Sequence, residues 1–228
     1  MIQPDPMPRH SAGNGAPPRL VLASASPRRR ELLALLGLPF EVVPSRYQEP
    51  APPDHPINLA DFVTELATQK AREVANRTER AYVIGADTLV TLDPGEQGVP
   101  LGKPEDAADA ARMLRSLSGR THWVTTGIAI FPIIPTPTQS DPVTAAVRTA
   151  VRFRYLDDAM IEDYVATGEP LDKAGAYGAQ GYAAPFIEGF EGDFYNVVGL
   201  PIATVAVLLE GLGLPWQRYR RHMPGLIG

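Results

Sequence analysis

The stretch RLVLASASPRRRELLALLG, residues 19 to 37, restricts the fold more than any other. RLVLA is a short apolar run closed by a small Ser-Ala-Ser turn, which reads as a strand. Ser26 can cap the helix that follows. Pro27 falls at its first position, where a missing N–H is harmless. Gly37 stops the helix, with Pro39 beyond it. A strand feeding directly into a helix is the building unit of an α/β domain.

The alternation continues down the chain. FEVV (40–43) is a second strand. From Ile57 to about Asn76, the residues Leu59, Phe62, Val63 and Leu66 recur at helical spacing, and Lys70 continues their stripe. YVIGADTLVTL (82–92) is a strand running into Asp87, and Ala110, Met113, Leu114 and Leu117 share one face of a helix closed by Gly119. Two long strands follow, THWVTTGIAIF and TAAVRTAVRFRYL. In the second, Val147, Thr149, Val151, Phe153 and Tyr155 alternate with Arg148, Arg152 and Arg154, the period of a half-buried antiparallel strand. DDAMIEDYVATG is a helix with Met160, Ile161, Tyr164 and Val165 inward. A glycine-rich stretch (175–192) then leads to a closing helix at roughly 201–212. The class is α/β, a mixed twisted sheet flanked by helices.

With 228 residues, 44% hydrophobic and 21% charged, the chain has ample length for a buried core. Residues 19–214 read as a single domain with an exposed loop at about 131–146. Residues 215–228 read as a C-terminal extension. Residues 1–18 read as a disordered tail: the first 19 residues hold five prolines and lack the apolar core, about 7 residues or more, of a signal peptide. No segment approaches the roughly 18 apolar residues of a membrane span, so a cytoplasmic protein with no membrane partner is expected. The net charge of -5 argues against a nucleic-acid partner. Zero cysteines exclude disulfides and thiolate metal sites.

The chemistry-bearing residues gather at element junctions. Arg28 and Arg29 sit in a first helical turn, where they oppose the macrodipole unless an anion offsets them. Guanidinium groups there suit bidentate phosphate contacts, and Ser24 adds a hydroxyl; the plain alternative is a solvated charge run. Asp87 ends the apolar run YVIGA, the place where open sheets hold active residues, and a carboxylate there can bind Mg²⁺ or take a proton from water. Glu49 is a weaker second carboxylate. Lys70 is either a snorkelling lysine or a functional one. Lys103 in LGKP and Lys173 in LDKAGAYGAQG precede a helix and a glycine-rich loop. Collected, these cations and acids suit a polyphosphate bridged to a metal. Gly175, Gly178 and Gly181 would let backbone approach a flat ligand such as a base. His10, His55, His122 and His222 are scattered, and no HExxH, CxxC, GxSxG or Walker A sequence is present.

LASASPRRRELL, GADTLV, LGKPEDAADAARMLRSLSGRTH and GEPLDKAGAYGAQGYAAPFIEGFEGDFYNVVGLP resemble, in order and spacing, the Maf family of nucleoside triphosphate pyrophosphatases. The resemblance covers roughly residues 19–212. It implies two lobes around a deep cleft, commonly a homodimer. It also implies hydrolysis between the α- and β-phosphates of a nucleoside triphosphate with a divalent cation, Mg²⁺ or Mn²⁺. Asp87 matches the family's proton acceptor, with Lys70 and Lys103 as its catalytic companions and Glu49 and Asp87 as metal ligands. Ser24, Arg28, Arg29, Thr88, Lys173 and Gln180 make up the substrate-binding set, and Arg30 is a surface residue. The branch associated with dTTP and UTP carries Arg, Thr and Gln where this sequence has Arg28, Thr88 and Gln180. A branch acting on 7-methyl-GTP carries Trp, Gln and Glu there. A neutral Gln180 offers both donor and acceptor to a uracil or thymine edge, whereas glutamate only accepts. Gln48 stands where an acid is frequent. The resemblance thus implies a dTTP/UTP pyrophosphatase that cleans the nucleotide pool; the family's association with arrest of cell division has no counterpart in these residues. A 7-methyl-GTP or purine-selective enzyme and a non-catalytic nucleotide sensor are the alternatives.

Overall fold

The computed structural model describes residues 19–134 and 141–220. The tail expected over 1–18 with His10, the middle of the 131–146 loop, and residues 221–228 with His222 lie outside the described residues. In chain order the elements are β1 (Arg19–Leu22), α1 (Pro27–Ala34), β2 (Glu41–Val42), β3 (Ile57–Asn58), α2 (Leu59–Ala75), β4 (Ala81–Thr91), β5 (Gln97–Gly98), β6 (Pro100–Leu101) and α3 (Ala107–Leu117). Then come β7 (Thr121–Ile133), β8 (Val143–Phe153), α4 (Asp158–Ala166), β9 (Ile187–Glu191), α5 (Phe194–Val198) and α6 (Ile202–Gly211).

The main sheet runs β2-β1-β4-β7-β8-β9, with β6 added to β4, while β3 and β5 pair separately. β1 is parallel to β2 and β4, and the remaining pairs are antiparallel, so the sheet is mixed as the sequence implies. Two expectations change. β7 reaches Ile133, inside the expected loop, because Phe131, Pro132 and Ile133 stay paired with Val83, Tyr82 and Ala81. Tyr155 is not an inward residue but 76% exposed. The β8–β9 register shifts at Arg152/Phe153 and β8 ends there, so the alternation does not carry through.

Strand alternation sorts β4 into two faces. Tyr82, Ile84 and Ala86 belong to a core with α1 and α6, whereas Val90 on the same face belongs to a second core with α3 and α4. The gap between these two cores opens beside Thr88. The other face of β4 is covered by α2. There Gly85 and Gly127 act as seats for the helix: a Cβ on Gly85 would lie under 3.0 Å from the Ala67 carbonyl, and one on Gly127 would lie equally close to the Val63–Thr64 backbone. Small residues on both sides, Ala67 and Ala71 against Ala129, complete the approach. The length of α2 rests directly on the sheet, and Lys70 is carried in with it.

His122 shows how dry the second core is. It is 0% exposed, stacks edge-on with Phe153 and Tyr177, and its Nε2 shares a hydrogen bond of 2.8 Å with the Tyr177 hydroxyl. Burial pushes the imidazole from 6.5 down to about 3. Between those values the unfolded chain binds the extra proton and the folded chain does not, so stability falls as the pH is lowered from 6.5 towards 3. The expected slope from this residue is about 1.4 kcal/mol per pH unit. Urea unfolding at pH 7 and pH 5 checks it: the wild-type chain should lose more stability across that interval than His122→Phe does. Equal losses would contradict it.

Candidate active site

β1 pairs with β4 only as far as Leu22 opposite Ile84, and Ala23 adds one more bond, N–H to the Ile84 carbonyl at 2.8 Å. β6 takes up the same edge again at Val90. Between them the edge of β4 has no strand neighbour among the described residues, and this opening is the floor of a cleft of about 780 Å³. Alternation turns Asp87 and Leu89 towards α2, and Thr88 and Val90 towards the opposite side. All four line the cleft, which therefore wraps around one strand edge. Asp87 is not at the carboxyl end of its own strand, as expected from sequence, but in the middle of an 11-residue strand. The strand that ends here is its parallel neighbour β1.

Lys70 is 8% exposed and its Nζ donates to Asp87 Oδ1 at 2.5 Å. Glu49 Oε1 stands 2.8 Å from the same nitrogen. The snorkelling alternative is thereby excluded, since the ammonium turns inward onto two carboxylates. An ammonium has three N–H donors, so at least one is left for an oxygen of a bound ligand. Asp87 Oδ2 has no hydrogen-bond partner among the described residues. Burial pushes the Asp87 carboxyl above the ordinary range, with the Lys70 ammonium and the Arg29 guanidinium pulling against it. A carboxylate so placed is a better proton acceptor than one in water.

The facing wall is the start of α1. Ser26 caps it, accepting from Arg29 N–H at 3.4 Å, and Ser24 Oγ accepts from Ser26 N–H at 3.2 Å. Arg29 Nε donates to the Gly199 carbonyl (2.8 Å) and Nη2 to Thr88 Oγ1 (3.1 Å). Thr88 passes its proton on to Thr126 (2.9 Å), whose hydroxyl donates to the Asn196 carbonyl (3.0 Å). Arg29 is thus fixed by a relay of hydroxyls, and burial lowers its pKa against the pull of Asp87 and Glu49. Arg28 lines the cleft and its charge is felt by Asp172 on the opposite wall. Arg30 is exposed, as expected.

Lys103, Lys173 and Gln180 also line the cleft, with Val124, Tyr177 and Val197 as its apolar surface. Every residue singled out from sequence for catalysis, metal or substrate therefore borders one space. The structure qualifies one of them: Lys173 Nζ is engaged by the Glu169 carbonyl (2.7 Å) and by Asp172 (2.6 Å). It also shows what else the glycines accommodate. A Cβ on Gly175 would press on Val90, and one on Gly178 or Gly181 on Glu169. These positions make room for the protein's own side chains, and Gly178 also lines the cleft.

A family model described as Maf-like protein matches residues 19–212. The chain belongs to the Maf-like family. A dTTP/UTP pyrophosphatase of Moorella thermoacetica is 55% identical over 205 residues, which cover 88% of this Maf-like chain and 98% of the relative. Relatives with the same name from Thermococcus onnurineus and Bacillus cytotoxicus are each 49% identical, over 86% and 82% of this chain and 99% and 92% of their own. Sequence reading of the Maf-like chain missed Tyr177 and Asp172 at the cleft, and Glu169 behind it. The glycine pairing with Glu169 lies 9 and 12 positions away, too far for any local period to signal it.

Proposed function

We propose that this Maf-like chain hydrolyses dTTP and UTP to the nucleoside monophosphate and pyrophosphate. The observation that carries the proposal is the Lys70 ammonium held between Asp87 and Glu49, in a cleft whose other wall is the arginine-bearing start of α1. The names of the relatives agree with it. A triphosphate brings negative charge that Arg28, Arg29, Lys70 and Lys103 can share, and phosphoryl transfer is mostly positioning and charge stabilisation. Asp87 takes the proton of the attacking water at its free Oδ2. Lys70 and the arginines stabilise charge on the transferring phosphorus group and on the departing pyrophosphate.

The donor set fits a hard divalent cation. Two carboxylates converge on one cationic group, and Mg²⁺ is usually held by one or two carboxylates with substrate phosphates and water supplying the rest. Glu49 and Asp87 would hold it, and such an ion polarises phosphoryl oxygens when bound. Among the described residues no group of three or more metal-ligating side chains offers a cage independent of substrate. Gln180 and Thr88 border the same cleft as Tyr177 and Val124, whose apolar surface suits a flat pyrimidine. The family resemblance extends the proposal to a homodimer acting on free nucleotides in the cytoplasm. No helix among the described residues is long and apolar enough to cross a membrane.

Pyrophosphate release measured side by side with dTTP, UTP, GTP and 7-methyl-GTP tests the assignment of the base. The expected kcat/KM for dTTP and UTP exceeds that for the guanine nucleotides by about tenfold or more, the worth of one well-placed polar contact. A preference for 7-methyl-GTP or GTP would overturn it.

A further inference from the structure

Gln180 sits on a segment, Gly178 to Tyr182, that belongs to no strand or α-helix. One carboxylate holds it. Glu169 Oε2 accepts from the Tyr182 N–H (2.9 Å), and its Oε1 accepts from the Tyr164 hydroxyl (3.2 Å). That same hydroxyl oxygen accepts from the Gly178 N–H at 3.1 Å. Both ends of the segment therefore hang on a single acid–phenol pair. The phenol is itself rigid: Tyr164 is 3% exposed and packs edge-on against Phe186.

The two glycines decide what this clasp is for. Neither Gly178 nor Gly181 has a positive φ, so neither is required by backbone conformation. Each is required by space. A Cβ on Gly178 would stand 2.6 Å from Glu169 Oε1, and one on Gly181 would approach the same carboxylate more closely still. The segment is wrapped onto Glu169 as tightly as backbone allows, and of the two residues between the glycines, both of which line the cleft, Gln180 is the one with a hydrogen-bonding side chain.

We propose that Glu169 is a positioning residue for base selection: through Tyr164 and the Tyr182 N–H it fixes the segment that presents Gln180 to the nucleobase. This rests on the reading of the cleft as a nucleotide site. A preorganised segment avoids an ordering cost on binding, so releasing it weakens affinity and blurs discrimination, while Asp87 and Lys70 keep their geometry.

The test uses Glu169→Ala, Glu169→Gln, Tyr164→Phe and Gly181→Ala in the full chain. Affinity is read by calorimetry with α,β-imido dTTP and α,β-imido dGTP, so it does not depend on turnover. Glu169→Ala should bind the thymine analogue about tenfold more weakly and lose most of the preference over the guanine analogue, with kcat for dTTP changed by less than about threefold. Glu169→Gln keeps an acceptor for the Tyr182 N–H and should restore most of the affinity. Gly181→Ala should weaken binding on its own but add nothing in the Glu169→Ala background, where the obstructing carboxylate is gone. Unchanged affinity and discrimination in folded Glu169→Ala would overturn the proposal. If that variant does not fold, Tyr164→Phe carries the same expectation, and its unchanged selectivity would overturn it equally. A wild-type chain that binds the analogues but turns over no nucleotide would refute the catalytic reading without touching this one. A wild-type chain that binds neither would overturn both.

Discussion

Asp87→Asn is expected to lower kcat for dTTP by roughly 10²–10⁴-fold, the usual contribution of a positioned general base. The substitution keeps the shape of the side chain, removes its ability to take a proton at Oδ2 and takes away one of the two carboxylate charges that face Lys70 and would hold the metal. Affinity for the non-hydrolysable analogue, measured without divalent metal, should fall little, because the arginine wall and the apolar part of the cleft are untouched. The fold should hold as well. Lys70 retains Glu49 at 2.8 Å, and burial already disfavours the charged form of Asp87, so a neutral amide relieves part of that cost. Steady-state rates with dTTP and a thermal melt on the same preparation separate the two effects. Turnover within about threefold of wild type would remove Asp87 from the role of base.

Gly127→Val should produce a large loss of stability from a single side chain added near the site. Gly127 lies directly opposite Asp87 in the β4–β7 ladder, and the backbone of Val63 and Thr64 occupies the place its side chain would take. Overpacking against side chains costs about 1–3 kcal/mol, and here a main chain must move, so about 3 kcal/mol or more is expected. For a domain of this size that is a fall in melting temperature of roughly 6–12 °C, or failure to accumulate as folded protein. Any folded fraction should also be slow, since lifting α2 moves Lys70 away from Asp87. A shift below about 2 °C would mean that α2 does not rest on the sheet as described.

Much of this site could be read before the fold was known, and the reasons are local. Ser26, Pro27 and the apolar run before them announce a strand-to-helix junction, which places Arg28 and Arg29 without further information. The spacing from Leu59 to Leu66 puts Lys70 on the buried stripe of α2, where a lysine calls for a partner. What could not be read depends on residues distant in sequence. Asp87 lies beside the end of β1, not of β4, because β7 pairs with β4 along its whole length and β1 stops at Leu22. Glu49 sits in a loop with no period, and only the folded chain brings it to Lys70. That the glycines at 178 and 181 leave room for Glu169 is visible only in the folded chain. Tyr155 followed a strand period that ended two residues earlier.

The most direct measurement is product analysis after incubating the purified full-length chain with dTTP and Mg²⁺, resolving dTMP, dTDP, pyrophosphate and phosphate. The cleft described above predicts dTMP and pyrophosphate in equal amounts, abolished by chelation of the metal. Release of dTDP and phosphate, or no product at all, would contradict it.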